Sequence, residues 1–254
     1  MPANRREFLN LAGGGAVAAV LSPIGTARAA GVAKFKAIAF DGFPIIDPRP
    51  VFAKVEEIFP GKGTELSNAW RIRQFEYTWL RTLGGDYVDF WRVTEDALTF
   101  ASKQLKLDLS ADQRDQIMQT YLKLKVWPDV PPALKQFKDA GIRVAFLSNF
   151  TAAMLEAPLK NSGLDGVFEP HLSTDKVKAY KPDPRAYQMG IDAFKLKKDE
   201  IAFAAFAGWD VAGAKWFGYP TFWVNRGNAP LEELGVSPDG VGSNLGDLAK
   251  FVGV

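Results

Sequence analysis

Asp41 closes the short apolar run Lys36-Ala37-Ile38-Ala39-Phe40, and Ser148-Asn149 closes a second, Arg143-Val144-Ala145-Phe146-Leu147. Ile201 to Ala205, followed by Trp209-Asp210, and Thr221-Phe222-Trp223-Val224 repeat the pattern. Such runs read as buried parallel strands. In open α/β sheets ligands sit outside the carboxyl ends of the strands, where Asp41, Ser148, Asn149 and the segment after Ala205 all fall. Carboxylates, a hydroxyl and an amide therefore gather at one rim, which marks a candidate active site. Other chemistries lack material. The chain has no cysteine, which excludes thiolate nucleophiles, cysteine-based zinc sites and disulfides. One histidine, His171, leaves Ser-His-Asp catalysis and multi-histidine metal sites almost no material and is read as structural.

The elements that must position these residues follow from the alternation of strand and helix. Helical stretches such as Val130 to Ala140 and Arg185 to Phe194 separate the apolar runs. The core, residues 30–47 and 128–254, is expected to be an α/β, Rossmann-like doubly wound parallel sheet. Residues 48–127 differ in character, with helical periodicity and long aromatic side chains, and read as an inserted helical cap domain. Within them Leu66 to Leu83 carries apolar residues at helical spacing, and Gly84-Gly85 supplies a stop. Ser110 opens another helix, with Gln113 as its capping-box partner. Trp127-Pro128 and Pro131-Pro132 return the chain to the core. A length of 254 residues suits one domain carrying a smaller insertion.

Four motifs occur in order: Phe40-Asp41, Leu147-Ser148-Asn149, Tyr180-Lys181-Pro182-Asp183 and Trp209-Asp210-Val211-Ala212-Gly213-Ala214. Together they resemble the haloacid dehalogenase superfamily. Its phosphatases carry Asp-x-Asp, but here the second position is Phe43, whose ring can transfer no proton and makes an apolar wall beside the first carboxylate. The stretch Arg71-Ile72-Arg73-Gln74-Phe75-Glu76-Tyr77-Thr78-Trp79-Leu80-Arg81 is similar to that of the L-2-haloacid dehalogenases. The resemblance implies that Asp41 displaces halide from C2 of a short (S)-2-haloalkanoate with inversion. Water then hydrolyses the ester at the Asp41 carbonyl. It implies no metal or other cofactor.

By the same resemblance Arg71 receives the substrate, and Arg71, Asn149 and Phe90 cradle the halide. Ser148 and Asn149 orient the substrate carboxylate, and Lys181 keeps Asp41 ionised. Asp210 completes the network through Lys181 or the hydrolytic water, and Tyr187 and Trp209 match pocket positions. The plainer alternatives are a solvated helix face for Arg71, a simple ion pair for Lys181, a helix N-cap for Ser148 and Asn149, and core packing for Tyr187 and Trp209.

Two stretches depart from the family pattern. The loop Gly42-Phe43-Pro44-Ile45-Ile46 lacks the family threonine and is one residue shorter, so the donors to the Asp41 carboxylate must differ. Before Trp209, Ala205 and Ala207 stand where the dehalogenases carry serine and asparagine, which leaves Glu76 or Asp210 to compensate in ester hydrolysis. These losses keep open a periplasmic protein that binds a small acid without turning it over. Superfamily membership also keeps open a Mg²⁺-dependent phosphatase with its ion between Asp41 and Asp210.

The N-terminal segment reads as an address. Asn4-Arg5-Arg6-Glu7-Phe8-Leu9 precedes a weakly apolar stretch, Leu11 to Leu21, that ends in Pro23 and Ala27-Arg28-Ala29-Ala30. Residues 1–29 resemble a twin-arginine signal, with cleavage after Ala29, recognition by the twin-arginine export machinery and a periplasmic product. The apolar stretch is about half the ~20 residues that span a bilayer, so no stable membrane anchor is expected. Loss of Arg5, Arg6, Arg28 and Glu7 cancels the formal charge of +2, and a neutral body offers nucleic acid no electrostatic surface. With 47% hydrophobic and 24% charged residues and a mean hydropathy of −0.08, the composition is that of an ordinary soluble enzyme. A homodimer is the family expectation.

Overall fold

The computed structural model describes residues 35–254; the Arg5-Arg6 segment and the cleavage point after Ala29 lie outside the described residues. The first strand, β1 (Ala37–Phe40), is buried along its whole length. Side chains of a strand alternate between faces, so Ile38 and Phe40 enter one hydrophobic layer and Ala37 and Ala39 the other. Four helices follow, α1 (Arg49–Ile58), α2 (Gly63–Gly84), α3 (Phe90–Gln104) and α4 (Ala111–Thr120). The chain then alternates through α5 (Val130–Asp139), β2 (Arg143–Ser148), α6 (Ala152–Asn161), β3 (Leu172–Ser173), α7 (Pro184–Phe194) and β4 (Ile201–Ala205). It closes with α8 (Gly208–Phe217), β5 (Thr221–Val224), β6 (Gly240–Gly242) and α9 (Leu245–Val252).

The strands form one sheet in the order β3-β2-β1-β4-β5-β6, parallel at every pairing. Phe40 lies opposite Phe146 on β2 and Ala204 on β4, so the residues just beyond these three strand ends become neighbours. The order reverses around β1, and that switch point is where an open α/β sheet leaves a crevice. Tyr187 and Phe194 of α7 and Val211 and Ala214 of α8 cover the alanine face of β1. Leu134 and Phe137 of α5, Leu155 of α6 and Leu248 of α9 cover the other.

The expected elements recur with local differences. Helix α2 starts at Gly63, about a turn before Leu66, in an N-terminal turn closed by a Lys62–Glu65 ion pair of 2.9 Å. It stops at Gly85, whose φ of 70° turns its N–H back to the Arg81 and Thr82 carbonyls, a conformation that favours glycine. Ser110 and Gln113 make the reciprocal capping box at the start of α4. Strands β3 and β6 have no counterpart in the sequence reading. At two and three residues they carry no periodicity and owe their form to pairing with β2 and β5.

Helices α1 to α4 are joined to the sheet region by two adjacent crossings. Ile46 bridges Val126 in antiparallel fashion, flanked by bonds from Asp47 N to the Lys125 carbonyl at 2.9 Å and from Trp127 N to the Ile45 carbonyl at 3.0 Å. Between α2 and α3, Trp70 Nε1 donates to the Thr94 carbonyl at 2.8 Å and Gln74 Nε2 to Thr94 Oγ1 at 2.6 Å. These buried polar bonds fix the α2 face that points inward.

Candidate active site

Asp41 is the first residue beyond β1, and its backbone N–H donates to the Ala204 carbonyl at 3.0 Å, continuing the ladder. Its side chain is 16% exposed. Oδ1 receives Lys181 Nζ at 2.8 Å and, at 3.5 Å, Ser148 Oγ from the end of β2. Among the described residues Oδ2 receives only the Phe43 N–H, at 3.5 Å. One carboxylate oxygen is therefore held by an ammonium, and the other by a long backbone contact.

Lys181 is fully buried, and its Nζ also donates to Asp210 Oδ2 at 2.7 Å. Burial disfavours its ammonium, but Asp210 and Asp41 outweigh that and hold its pKa above the ordinary lysine value. Asp210 sits in the first turn of α8 and takes a second bond from Tyr187 Oη, at 2.7 Å to Oδ1. Burial pushes the Asp210 carboxyl up to about 6, with the Lys181 charge pulling the other way. Burial and the Asp210 charge also raise Tyr187 well above its ordinary value, so its phenol stays a donor. Gly213 makes this contact possible, because a Cβ there would lie 2.3 Å from Tyr187 Oη.

Asn149 lies behind this row. Its Oδ1 accepts Lys181 N at 3.0 Å and Thr174 Oγ1 at 3.4 Å, while its Nδ2 is buried with no acceptor among the described residues. A buried, unpaired donor is costly. The N-cap of α6 is Thr151, which accepts Met154 N at 3.3 Å, so neither Ser148 nor Asn149 is spent on capping.

An aromatic cluster surrounds Phe43, two residues beyond Asp41. Phe43 packs edge-on against Phe150, with ring centroids 5.0 Å apart, and against Phe206 at 5.5 Å. Phe90, at the start of α3, lies 5.3 Å from Phe150. Phe150 and Phe206 were not picked out from the sequence; their signal was position, each lying just past a strand that ends at the rim. Trp209 packs at 5.0 Å from Phe75 and 5.7 Å from Trp79 of α2, and its Nε1 is buried without a partner.

Three of the expected residues make no hydrogen bond or ion pair with Asp41. Tyr187 is wholly buried within the layer beneath β1, where its phenol supports Asp210. Glu76 pairs with Arg73 at 2.9 Å and makes no hydrogen bond or ion pair with the Asp41 group. Arg71 is exposed on α2, its guanidinium 5.9 Å from the Phe52 ring, in a cleft of about 450 Å³ that Ser67 and Asn68 also line. It has no hydrogen bond or ion pair to Asp41, Lys181 or Ser148, although its charge acts on Tyr121, whose ring packs 6.2 Å from Phe150. His171 packs on Phe146 at 5.4 Å, and burial lowers its pKa.

A Mg²⁺ ion between Asp41 and Asp210 does not fit this arrangement. Lys181 Nζ already lies between the two carboxylates, 2.8 Å from one and 2.7 Å from the other, so a cation is built into the chain where the metal would sit. Among the described residues no cluster of three or more His, Cys, Asp or Glu could hold a metal. Ala207 occupies the N-cap of α8 without a side-chain bond, and Ala205 is buried. The polar side chains expected at both places are thus absent from the rim.

Residues 18–218 match the profile of the haloacid dehalogenase-like hydrolases. The chain is 42% identical over 205 residues to an (S)-2-haloacid dehalogenase of Pseudomonas sp. (strain YL), covering 80% of this chain and 88% of that protein. The solved L-2-haloacid dehalogenase RSc1362 superposes with a TM-score of 0.84 at 39% identity, over 87% of this chain and 100% of the other. The L-2-haloacid dehalogenase from Xanthobacter autotrophicus, solved with chloropropionic acid covalently bound, gives 0.78 at 32% identity over 86% and 98%. With its sheet, its strand-end carboxylate and these likenesses, the chain belongs to the haloacid dehalogenase-like hydrolases, in the L-2-haloacid dehalogenase branch.

Proposed function

We propose that the protein hydrolyses short (S)-2-haloalkanoic acids to (R)-2-hydroxyalkanoic acids and halide through an ester on Asp41. The observation that carries this reading is the asymmetry of the Asp41 carboxylate, with Oδ1 on Lys181 and Oδ2 on no more than the long contact from the Phe43 N–H among the described residues. Oδ2 attacks C2 from the face opposite the halogen, the carbon–halogen bond breaks, and the configuration inverts. The leaving halide gains negative charge, which suits the unpaired Asn149 Nδ2 and the dry edge formed by Phe90 and Phe150. A relative that holds chloropropionic acid covalently supports an ester intermediate.

In the second half, water adds to the Asp41 carbonyl carbon. Negative charge develops on Oδ1, where Lys181 Nζ already lies at 2.8 Å. Asp210, with a pKa of about 6, accepts one water proton near neutral pH and returns it to the 2-hydroxyacid oxygen as the Cγ–Oδ2 bond breaks; the water oxygen stays on Asp41, whose remaining proton leaves to solvent and restores the carboxylate. Helices α1 to α4 act as the cap, and Arg71 meets the substrate carboxylate from α2. Chloride release from L-2-chloropropionate by the purified protein is the direct test, with Asp41→Asn as control. Release that vanishes in the variant supports the reading, and no release from any of several haloacids overturns it. Ala205 and Ala207 favour a second reading, slow turnover with tight retention of the acid. That would appear as ester accumulating on Asp41 by mass spectrometry.

The twin-arginine segment supports export and a periplasmic site of action, tested by fractionation and the mass of the mature chain. No described helix is long and apolar enough to cross a membrane. We further propose a homodimer, supported by the exposed apolar side chains Ile72, Leu80 and Leu83 along α2.

A further inference from the structure

Trp127, where the chain returns toward α5, touches the loop after Asp41 in two ways and holds two arginines beside it. Its indole Nε1 donates to the Phe43 carbonyl at 3.0 Å, and its backbone N–H donates to the Ile45 carbonyl at 3.0 Å. Its ring carries two guanidinium groups, Arg49 and Arg226, each 4.6 Å from the centroid. Both arginines are themselves fixed. Arg49 chelates the Asp47 carboxylate, Nη2 to Oδ2 at 2.6 Å, and Arg226 Nη2 donates to Asp129 Oδ2 at 2.9 Å. Arg226 Nη2 also donates to the Pro44 carbonyl at 2.9 Å. The carbonyls of three successive loop residues, Phe43, Pro44 and Ile45, are thus held by this assembly.

Among the described residues the loop carries the one N–H that reaches Asp41 Oδ2, that of Phe43. Peptide planes are rigid, so that N–H is aimed by whatever fixes the planes on either side of Phe43. The Gly42 carbonyl, in the plane of the Phe43 N–H, is held by Ile45 N at 3.2 Å and Ile46 N at 2.9 Å. The next plane is held at the Phe43 carbonyl by Trp127. The loop offers no hydroxyl of its own toward the carboxylate, since its residues are Gly42, Phe43, Pro44, Ile45 and Ile46.

We propose that Trp127 is a positioning residue for the nucleophile: through the Phe43 carbonyl it sets the loop that orients Asp41 Oδ2, with Arg49 and Arg226 holding its ring. This rests on Asp41 being the nucleophile. It also ties the nucleophile loop to both crossings between the helices α1 to α4 and the sheet, because Trp127 and Arg49 stand one at each.

Trp127→Phe keeps an aromatic ring for the two arginines and removes the indole N–H together with part of the ring area. The expected result with L-2-chloropropionate is a fall in kcat of about tenfold, equivalent to roughly 1.4 kcal/mol of barrier, with KM little changed. Active sites are counted by mass spectrometry of the quenched Asp41 ester. Hydrogen exchange of the peptide covering residues 41–47 is expected to quicken. A residue that only staples the fold would lower the melting temperature and the number of active sites while leaving kcat per site unchanged. Unchanged kcat per site with unchanged exchange overturns the proposal. Should the wild-type protein release no halide, the dehalogenase reading fails, and exchange in residues 41–47 still decides whether Trp127 positions the loop. Arg226→Gln, which frees the ring face and the Pro44 carbonyl, carries the same readouts if Trp127→Phe does not fold.

Discussion

Asp210 is the residue whose environment most directly sets a measurable property. Its carboxyl titrates at about 6 because it is buried, and the role proposed for it needs the ionised form. The rate should therefore fall as pH drops through about 6, and Asp210→Asn should lose that limb together with ~10²–10⁴ in kcat. Tyr187 donates to Asp210 and holds its pKa down. Tyr187→Phe is accordingly expected to move the acid limb to higher pH, read from the pH–rate profile. Lys181→Met keeps the volume but removes the charge beside Oδ1 and should lower kcat by ~10²–10³, the scale of a lost oxyanion donor. At this scale the candidates Asp41, Ser148, Asn149, Lys181 and Asp210 were legible in the sequence, because each lies at or just after a strand end or within a recognisable motif. Tyr187 was legible as a residue, but its place behind Asp210 was not, since depth depends on how α7 packs against α8.

The helices show which local rules act independently of the site. The Ser110–Gln113 capping box opens α4 away from the Asp41 group. Ser110→Ala should cost ~1 kcal/mol, seen as a fall in melting temperature of about 2–4 °C for a chain of this size, with dehalogenation unaffected. The stop at Gly85 was equally readable, since a residue with φ of 70° ends a helix by backbone geometry alone. The start of α2 was not. The helix starts at Gly63, ahead of Thr64, because the turn packs so closely on α1 that a Cβ at Gly63 would lie 2.5 Å from the Glu56 Cα.

For the whole molecule, the open question is what covers α2. Ile72, Leu80 and Leu83 are 62%, 61% and 87% exposed, and their spacing along a helix puts them near one face. A second copy of the chain meeting there predicts a dimer by light scattering, and Leu80→Glu combined with Leu83→Glu should convert it to monomer. A monomer in the unmodified protein would show that this face has another use.

The sequence by itself determined the class of fold and the chemical inventory. Alternating apolar runs and helices require a parallel α/β sheet, and a chain with no cysteine and one histidine leaves carboxylates to do the work. Only the tertiary structure decided how those groups divide the labour. Strand register placed Ser148 beside Asp41, and burial put an ammonium between two carboxylates where a metal was conceivable. The same packing separated Arg71 and Glu76 from that cluster, and it brought Trp127 and Arg226 onto the loop after Asp41. These are contacts between residues far apart in the chain, and side-chain type and local periodicity carry no record of such distances.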